Sequence, residues 1–351
     1  MKIRKTGLIL FGLLGLAGCG TNKSETRQDR NDKNSSEKTN ASVEAPSSIG
    51  GGTLTVYSAG PDGLSEKIKV TFEEKTGVKV NLFQGTTGKI LSKFEAEKNN
   101  PQADVLVLAS MSSMDELKKA NLLQSYPEAK GKGNLNSDWT DSDGFYFGYS
   151  ASALGLTYNT NSGKNPPKDW DDLSKNEWKG KVNIPDPSLS GSTLDFIYGF
   201  TSDGKKWHTV DDWFSNGIQV MGANKSALDA VITGEKEVTI SGVDYMAYKA
   251  KNDGEPIDIV YPTSGTVVSP RAVGITKTSK ELDASKAFVD FVLSDEGQQL
   301  VADAYLLPGS SQVEVKDRAN LEEIKQIKVN WKNSDTKQSE ALNKFIEIAE
   351  K

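Results

Sequence analysis

The chain has 351 residues, with 42 lysines and arginines against 48 aspartates and glutamates, one cysteine and one histidine. A net charge of −6 argues against a nucleic-acid partner, although local donors can still hold a small anion. One cysteine excludes an internal disulfide, and together the cysteine and histidine counts exclude a His/Cys metal cluster.

The chain opens "MKIRKTGLILFGLLGLAGC", with basic Lys2, Arg4 and Lys5, an apolar run from Leu8 to Leu16, and small residues up to Cys19. The apolar run falls well short of the ~20 residues a spanning helix needs, so residues 1–18 are expected to form a signal peptide. Leu16-Ala17-Gly18-Cys19 resembles the bacterial lipobox, which implies cleavage before Cys19 and lipidation of its thiol. Residues 19–52 are polar, mixed in charge and poor in core-forming side chains, the composition of a flexible tether. A lipid-anchored body at the extracytoplasmic face of a cell membrane is the expectation.

That body, Thr53 to Lys351, is about twice a usual domain length, so two lobes are expected. "TLTVYS" reads as a strand, and "LSEKIKVTFEEKTG" as a helix with Leu64, Ile68 and Phe72 on one face and Gly77 as its stop. "VKVNLF", "GKILSKFEAEKNN", "ADVLVLA" and "MDELKKANLL" continue the alternation of strand and helix. Such alternation marks an α/β sheet that is mostly parallel. "FYFGYSASALGLTYNT" (Phe145–Thr160) and "GTVVSPRAVGIT" (Gly265–Thr276) read as long extended crossings. A second α/β set lies between them, and "SKAFVDFVLSDEGQQLVADAY" reads as one long helix after them. Two lobes joined by two crossings leave a cleft.

Ligands of such sheets lie beyond the carboxyl ends of the strands, where helix N-termini present free amides. Four loops qualify. In "FQGTTGK", Gly85 and Gly88 are three apart and Ile90 follows Lys89, so the G-x-x-x-x-G-K-[ST] nucleotide loop is excluded. An oxyanion site remains, with the Thr86 and Thr87 hydroxyls and the Gly88 and Lys89 amides; a glycine turn with a threonine cap explains the stretch equally well. "DPSLSGST" places Ser190, Gly191 and Ser192 at another helix start, in the other lobe. Facing loops of this kind would grip one anion from both sides. "YSAGPDG" offers Ser58 and Asp62, or a plain turn, and "SGVDYMAYK" offers Asp244 and Tyr245, or a capped helix start with a packed tyrosine. The lone histidine, His208, lies in a charged, loop-like stretch without a G-x-S-x-G elbow, so a secreted hydrolase is a remote alternative and no enzyme or cofactor is expected.

The motifs "LTVYSAG", "FEEKTGVKV", "NPQADVLVLAS", "WKGKVNIPDPSLSGST", "GEKEVTISGVDY" and "SKAFVDFVLSDEGQQLVADAYLLPG" are spread along Thr53 to Ser311. Together they resemble the solute-binding proteins of ABC importers, in the branch of ferric-iron, thiamine, phosphonate and hexose-phosphate binders. The resemblance implies a two-lobed, type II periplasmic-binding-protein fold, each lobe a mixed sheet flanked by helices, with two crossover hinge strands. It puts 53–150 and about 272–310 in lobe 1, and 151–271 with about 311–351 in lobe 2. It also implies a monomer that delivers a small ligand to a permease and its ATPase. Ferric binders of this family use adjacent tyrosines, a histidine after the first strand and an acidic residue after the third. Here those positions read Asp244-Tyr245, "SAGPDG" and Ala109-Ser110, so only Tyr245 remains as an iron ligand. "PTSGTVVSPR" looks like the phosphonate and sugar-phosphate binders, where Arg271 would clamp an anion or, alternatively, sit in the hinge. The favoured ligand is therefore a small phosphorylated or phosphonate compound whose phosphoryl group sits between the Thr86–Lys89 loop and Ser190–Ser192, while Asp62 and Asp244 meet its amine or hydroxyl end; Ser110 is a further candidate contact. Ferric iron with a bound anion is the alternative.

Overall fold

The computed structural model describes residues 52–331 and 334–351; the expected signal peptide, Cys19 and nearly all of the tether lie outside the described residues. Strand β1 (Thr53–Ser58), helix α1 (Asp62–Thr76), β2 (Lys79–Gln84), α2 (Thr87–Ala96), β3 (Val105–Leu108) and α3 (Met111–Lys119) follow in turn. After short β4 (Leu123–Gln124) comes the long β5 (Phe147–Asn159). The second set is β6 (Val182–Ile184), α4 (Gly191–Thr201), α5 (Trp207–Ser215), β7 (Gln219–Val220), α6 (Asn224–Ile232), β8 (Val238–Val243), α7 (Asp244–Asn252) and β9 (Ile257–Val260). The chain then forms β10 (Val268–Thr276), α8 (Leu282–Leu293), α9 (Asp295–Asp303), β11 (Leu307–Pro308) and α10 (Asp335–Ala349).

The strands lie in the order β2-β1-β3-β10-β5-β8-β6-β7. Two parallel groups, β2-β1-β3 and β8-β6-β7, flank the antiparallel pair β10 and β5. β5 changes partners midway: Phe147 to Ala153 pair with β10, whereas Leu154 to Asn159 pair with β8 and β9. All nine residues of β10 are buried, as expected of a strand covered on both faces. Apolar side chains of β1, α1 and α8, among them Leu54, Phe72 and Phe288, fill one core. In the other, Trp170, Phe196, Phe200 and Trp213 stack at centroid distances of 4.8–6.5 Å. Contacts of this kind add about 0.5–1.5 kcal/mol per pair beyond area burial, and they fix α4, whose first turn matters below.

Two expectations need correction. The long helix after β10 is broken: Ser294 is extended at φ −68°, ψ 161°, and its hydroxyl caps α9 by accepting from Gly297 N at 3.2 Å. Ser-Asp-Glu is a strong helix-start signal that outweighs the apolar periodicity across it. The break also needs Gly297, because a Cβ there would lie 2.2 Å from the Phe291 carbonyl. His208, expected in a loop, is an exposed residue of α5, with Nδ1 turned to the Lys205 carbonyl.

Candidate functional site

Like α9, the helices α2, α3 and α4 begin with a hydroxyl cap. Thr86 Oγ1 accepts from Lys89 N at 3.3 Å, Ser110 Oγ from Ser113 N at 3.3 Å, and Ser190 Oγ from Thr193 N at 3.1 Å. The remaining first-turn amides of α2, α3 and α4 have no partner inside their helices. These three starts meet at Ala109. Its amide donates to Thr87 Oγ1 at 3.2 Å, and its carbonyl lies 3.6 Å from where a Cβ on Gly191 would sit. Three helix N-termini, each worth roughly half a positive charge, are thus brought together. The Lys89 amide, expected to face the ligand, is taken up by the Thr86 cap, while Lys89, Thr86 and Gly88 are exposed and Thr87 is half-buried.

Asn224, at the first residue of α6, orders the hydroxyls of the α4 start. Ser190 Oγ donates to Asn224 Oδ1 at 2.7 Å, and Asn224 Nδ2 donates to Ser192 Oγ at 3.0 Å. Thr193 and Ser241 share a hydroxyl contact at 3.1 Å, and Ser241 has φ +52°. A non-glycine residue in that region carries strain of order 1–3 kcal/mol, which the surrounding packing holds in place.

Behind α3 and α4 lies a buried chain of polar groups. Ser110 and Ser112 hydroxyls are 3.0 Å apart, and Ser112 Oγ donates to Gln338 Oε1 at 3.0 Å. Gln338 Nε2 donates to Asp195 Oδ1 at 3.1 Å, and Ser269 Oγ donates to Asp195 Oδ2 at 2.5 Å. Burial pushes Asp195 up to about 7, against the opposing pull of those two hydrogen bonds and the Arg271 charge. Arg271 is itself buried, donates from Nη1 to Ser152 Oγ at 2.7 Å, and lies 5.4 Å from the Tyr245 ring centroid. Burial raises the Tyr149 and Tyr245 phenols, with Arg271 pulling both down and Asp244, then Asp62, pushing Tyr245 up. A Cβ on Gly60 would lie 3.1 Å from the Tyr149 hydroxyl and 3.2 Å from Ser58 Oγ, so the loop after β1 closes over this end.

The expected site residues therefore fall into three groups. Thr87, Ser110, Ser190, Gly191 and Ser192 come together around Ala109. Tyr245 and Arg271 lie next to that group, since the antiparallel register of Ala272 with Leu108 brings Arg271 beside Ala109, with exposed Asp62 near Tyr245 and Ser58 buried against Ser65 at 2.9 Å. Asp244 borders Tyr245 but is turned into the core. Its side chain is 0 % exposed, pairs with Arg318 Nη2 at 2.6 Å, and accepts from Ala153 N at 2.9 Å and Tyr261 OH at 3.3 Å. With Oδ1 accepting from Tyr245 N at 2.7 Å as well, this buried acid is neutralised by Arg318 and committed to the fold rather than to a ligand ammonium. Asp195, Gln338, Asn224, Tyr149, Ser152 and Ser269 escaped the sequence reading. Asp195 did leave a signal, since it is the one acid in "GSTLDFIYGFT", a helix buried nearly all round.

Two open hollows of about 560 and 670 Å³ flank the 307–331 segment instead. The buried polar atoms without a partner, Arg271 Nε among them, lie in neither, so the helix starts and Arg271 hold the more pointed chemistry.

Residues 100–339 match the family model for bacterial extracellular solute-binding proteins. The chain belongs to that family. A relative among these solute-binding proteins, the "Probable ABC transporter periplasmic-binding protein y4fP" of Sinorhizobium fredii, is 29 % identical over 68 % of this chain and 69 % of its own length. The "Putative 2-aminoethylphosphonate-binding periplasmic protein" of Salmonella typhimurium is 24 % identical over 85 % of this chain and 92 % of its own. Among solved structures, the periplasmic binding protein AfuA of Actinobacillus pleuropneumoniae with fructose-6-phosphate superposes with a TM-score of 0.77 and 25 % identity. That match covers 85 % of this chain and 99 % of AfuA. Iron-bound HitA of Pseudomonas aeruginosa gives 0.73 and 24 %, over 84 % and 99 % of the two chains. The fold of this solute-binding protein is the type II periplasmic-binding-protein arrangement, with β5 and β10 as the strands joining its two sheet groups.

Proposed function

We propose that this solute-binding protein captures a small phosphorylated or phosphonate compound and hands it to the permease of an ABC importer. The observation that carries the reading is the meeting of the α2, α3 and α4 starts at Ala109. Their free amides and aligned dipoles favour an anion with several acceptor oxygens, which is what a phosphoryl group presents. A small residue at 191 leaves room for that group, since even a Cβ there would stay 3.6 Å from the Ala109 carbonyl. Lobe 1 (53–150 and about 272–310) contributes α2 and α3, and lobe 2 (151–271 and about 311–351) contributes α4. A ligand touching both lobes binds the closed form more tightly than the open one, and that difference drives closure. Lipidation at Cys19 would hold the monomer beside its permease.

Calorimetric titration with 2-aminoethylphosphonate and fructose 6-phosphate tests the reading. We expect saturable binding of at least one; absence of binding by any phosphoryl compound sinks it.

A second reading, ferric iron with a bound anion, draws support from the electrostatic coupling of Tyr149 and Tyr245. It stands behind the first for two reasons. The Arg271 charge acts on both phenols, which repels a trivalent cation, and Asp244 is spent on Arg318.

A further inference from the structure

An anion at the helix starts would join α3 to α4 in front, and a buried carboxamide joins the same two helices from behind. Gln338, in the first turn of α10, is 6 % exposed. Its Nε2 donates to Asp195 Oδ1 on α4 at 3.1 Å, and its Oε1 accepts from Ser112 Oγ on α3 at 3.0 Å. α10 packs with lobe 2: its Phe345 meets Phe214 of α5 edge-on at a centroid distance of 5.4 Å. Ser112 belongs to lobe 1. The Ser112–Gln338 hydrogen bond therefore crosses from one lobe to the other, at a place where both partners are buried.

The chain of hydrogen bonds has a direction. The donor end of the Gln338 amide faces Asp195, so its acceptor end takes the one proton that Ser112 has to give. The 3.0 Å contact between Ser110 and Ser112 is then made by the Ser110 proton, which leaves the Ser110 oxygen to accept from Ser113 N as the cap of α3. One side chain thus orders the α3 cap and ties α3 to α4.

We propose that Gln338 is a positioning residue for ligand capture: it holds the starts of α3 and α4 at the separation at which one anion touches both, through a bond to Ser112 that forms as the lobes close. This role rests on the two-lobed anion site proposed above. A hydrogen bond present in the closed form and absent from the open one raises affinity without touching the ligand, because apparent affinity follows the population of the closed form. Such a bond slows the ligand's escape and leaves its entry alone, since the open form that meets the ligand lacks it.

Calorimetry and stopped-flow fluorescence with fructose 6-phosphate, 2-aminoethylphosphonate and inorganic phosphate, on the parent, Gln338→Met and Ser112→Ala, test this. We expect each variant to bind every compound that the parent binds about three- to tenfold more weakly, the worth of one net hydrogen bond, with faster dissociation and an unchanged association rate. Ser112→Ala combined with Gln338→Met should bind no more weakly than Gln338→Met alone, because the two side chains serve one bond. A side chain that only supports the fold would lower the melting temperature and leave both rates as they are. Should Gln338→Met fail to fold, Ser112→Ala in the other lobe decides alone. Affinities within about twofold of the parent, slower association in place of faster dissociation, or additive losses in the double variant overturn the role of Gln338 and leave the phosphoryl reading intact. If the parent takes up ferric citrate and no phosphoryl compound, the phosphoryl reading falls, and the same rates measured with ferric citrate decide on Gln338, since the bond acts on closure. Binding of neither removes both.

Discussion

Replacing Asp195 with asparagine should make the protein more stable at alkaline pH, although it deletes a buried, hydrogen-bonded group. The residue is 1 % exposed, and burial raises its carboxyl from an ordinary 3.8 to about 7. An acid with a raised value in the folded state binds its proton more tightly there than in the unfolded chain. Its contribution to stability is therefore full below about pH 4, falls as pH rises toward about 7, and is flat above that. At about 1.4 kcal/mol per tenfold change in proton affinity, the whole fall is on the order of 4 kcal/mol. Roughly 2–3 kcal/mol of it lies between about pH 5 and pH 8. Asparagine stays neutral, keeps an oxygen for Gln338 Nε2, and turns its amide toward Ser269 Oγ, which can accept. Urea unfolding of both proteins at the two pH values gives the difference free of every other titrating group. The variant should gain on the parent by roughly that 2–3 kcal/mol as pH rises. A constant difference, or a variant that loses ground at high pH, would refute the reasoning and mean that Arg271 holds Asp195 ionised.

Arg318→Met strands the Asp244 carboxylate in a fully buried place, so chemical denaturation should show a loss of about 3–5 kcal/mol, reduced when Asp244→Asn is added. Gly191→Ala places a Cβ at ordinary contact distance from the Ala109 carbonyl and should bind nearly as well as the parent, whereas Gly191→Leu fills the anion's place. The bulk of the leucine is expected to weaken binding by at least about tenfold with little change in melting temperature; equal affinity in the two variants would remove the α4 start from the site. Adding ferric citrate should give no tyrosinate charge-transfer band. A visible band that vanishes in Tyr245→Phe would favour iron.

Local chemistry made the strands, the helix starts and their caps readable. Thr86, Ser110 and Ser190 accept from amides only three residues on, so a short window of sequence holds the whole interaction. The alternation of apolar strand and amphipathic helix likewise gave the sheet groups, because side-chain period is a local property. What stayed hidden depends on partners far along the chain. Gln338 meets Asp195 across 143 positions, and Arg318 meets Asp244 across 74. Nothing near Asp244 tells that its carboxylate is already committed, so an acid at a helix start looked like a ligand group. Arg271 reads as a possible clamp in sequence, but its burial with Nε lacking an acceptor is a property of the folded surroundings.

The most direct measurement is the identity of the molecule carried in the cleft. Protein purified without added ligand and then denatured should release a phosphorus-containing compound, seen by phosphorus NMR and mass spectrometry at up to one equivalent. Release of ferric iron in that proportion, with no organic phosphorus compound beside it, would contradict the account.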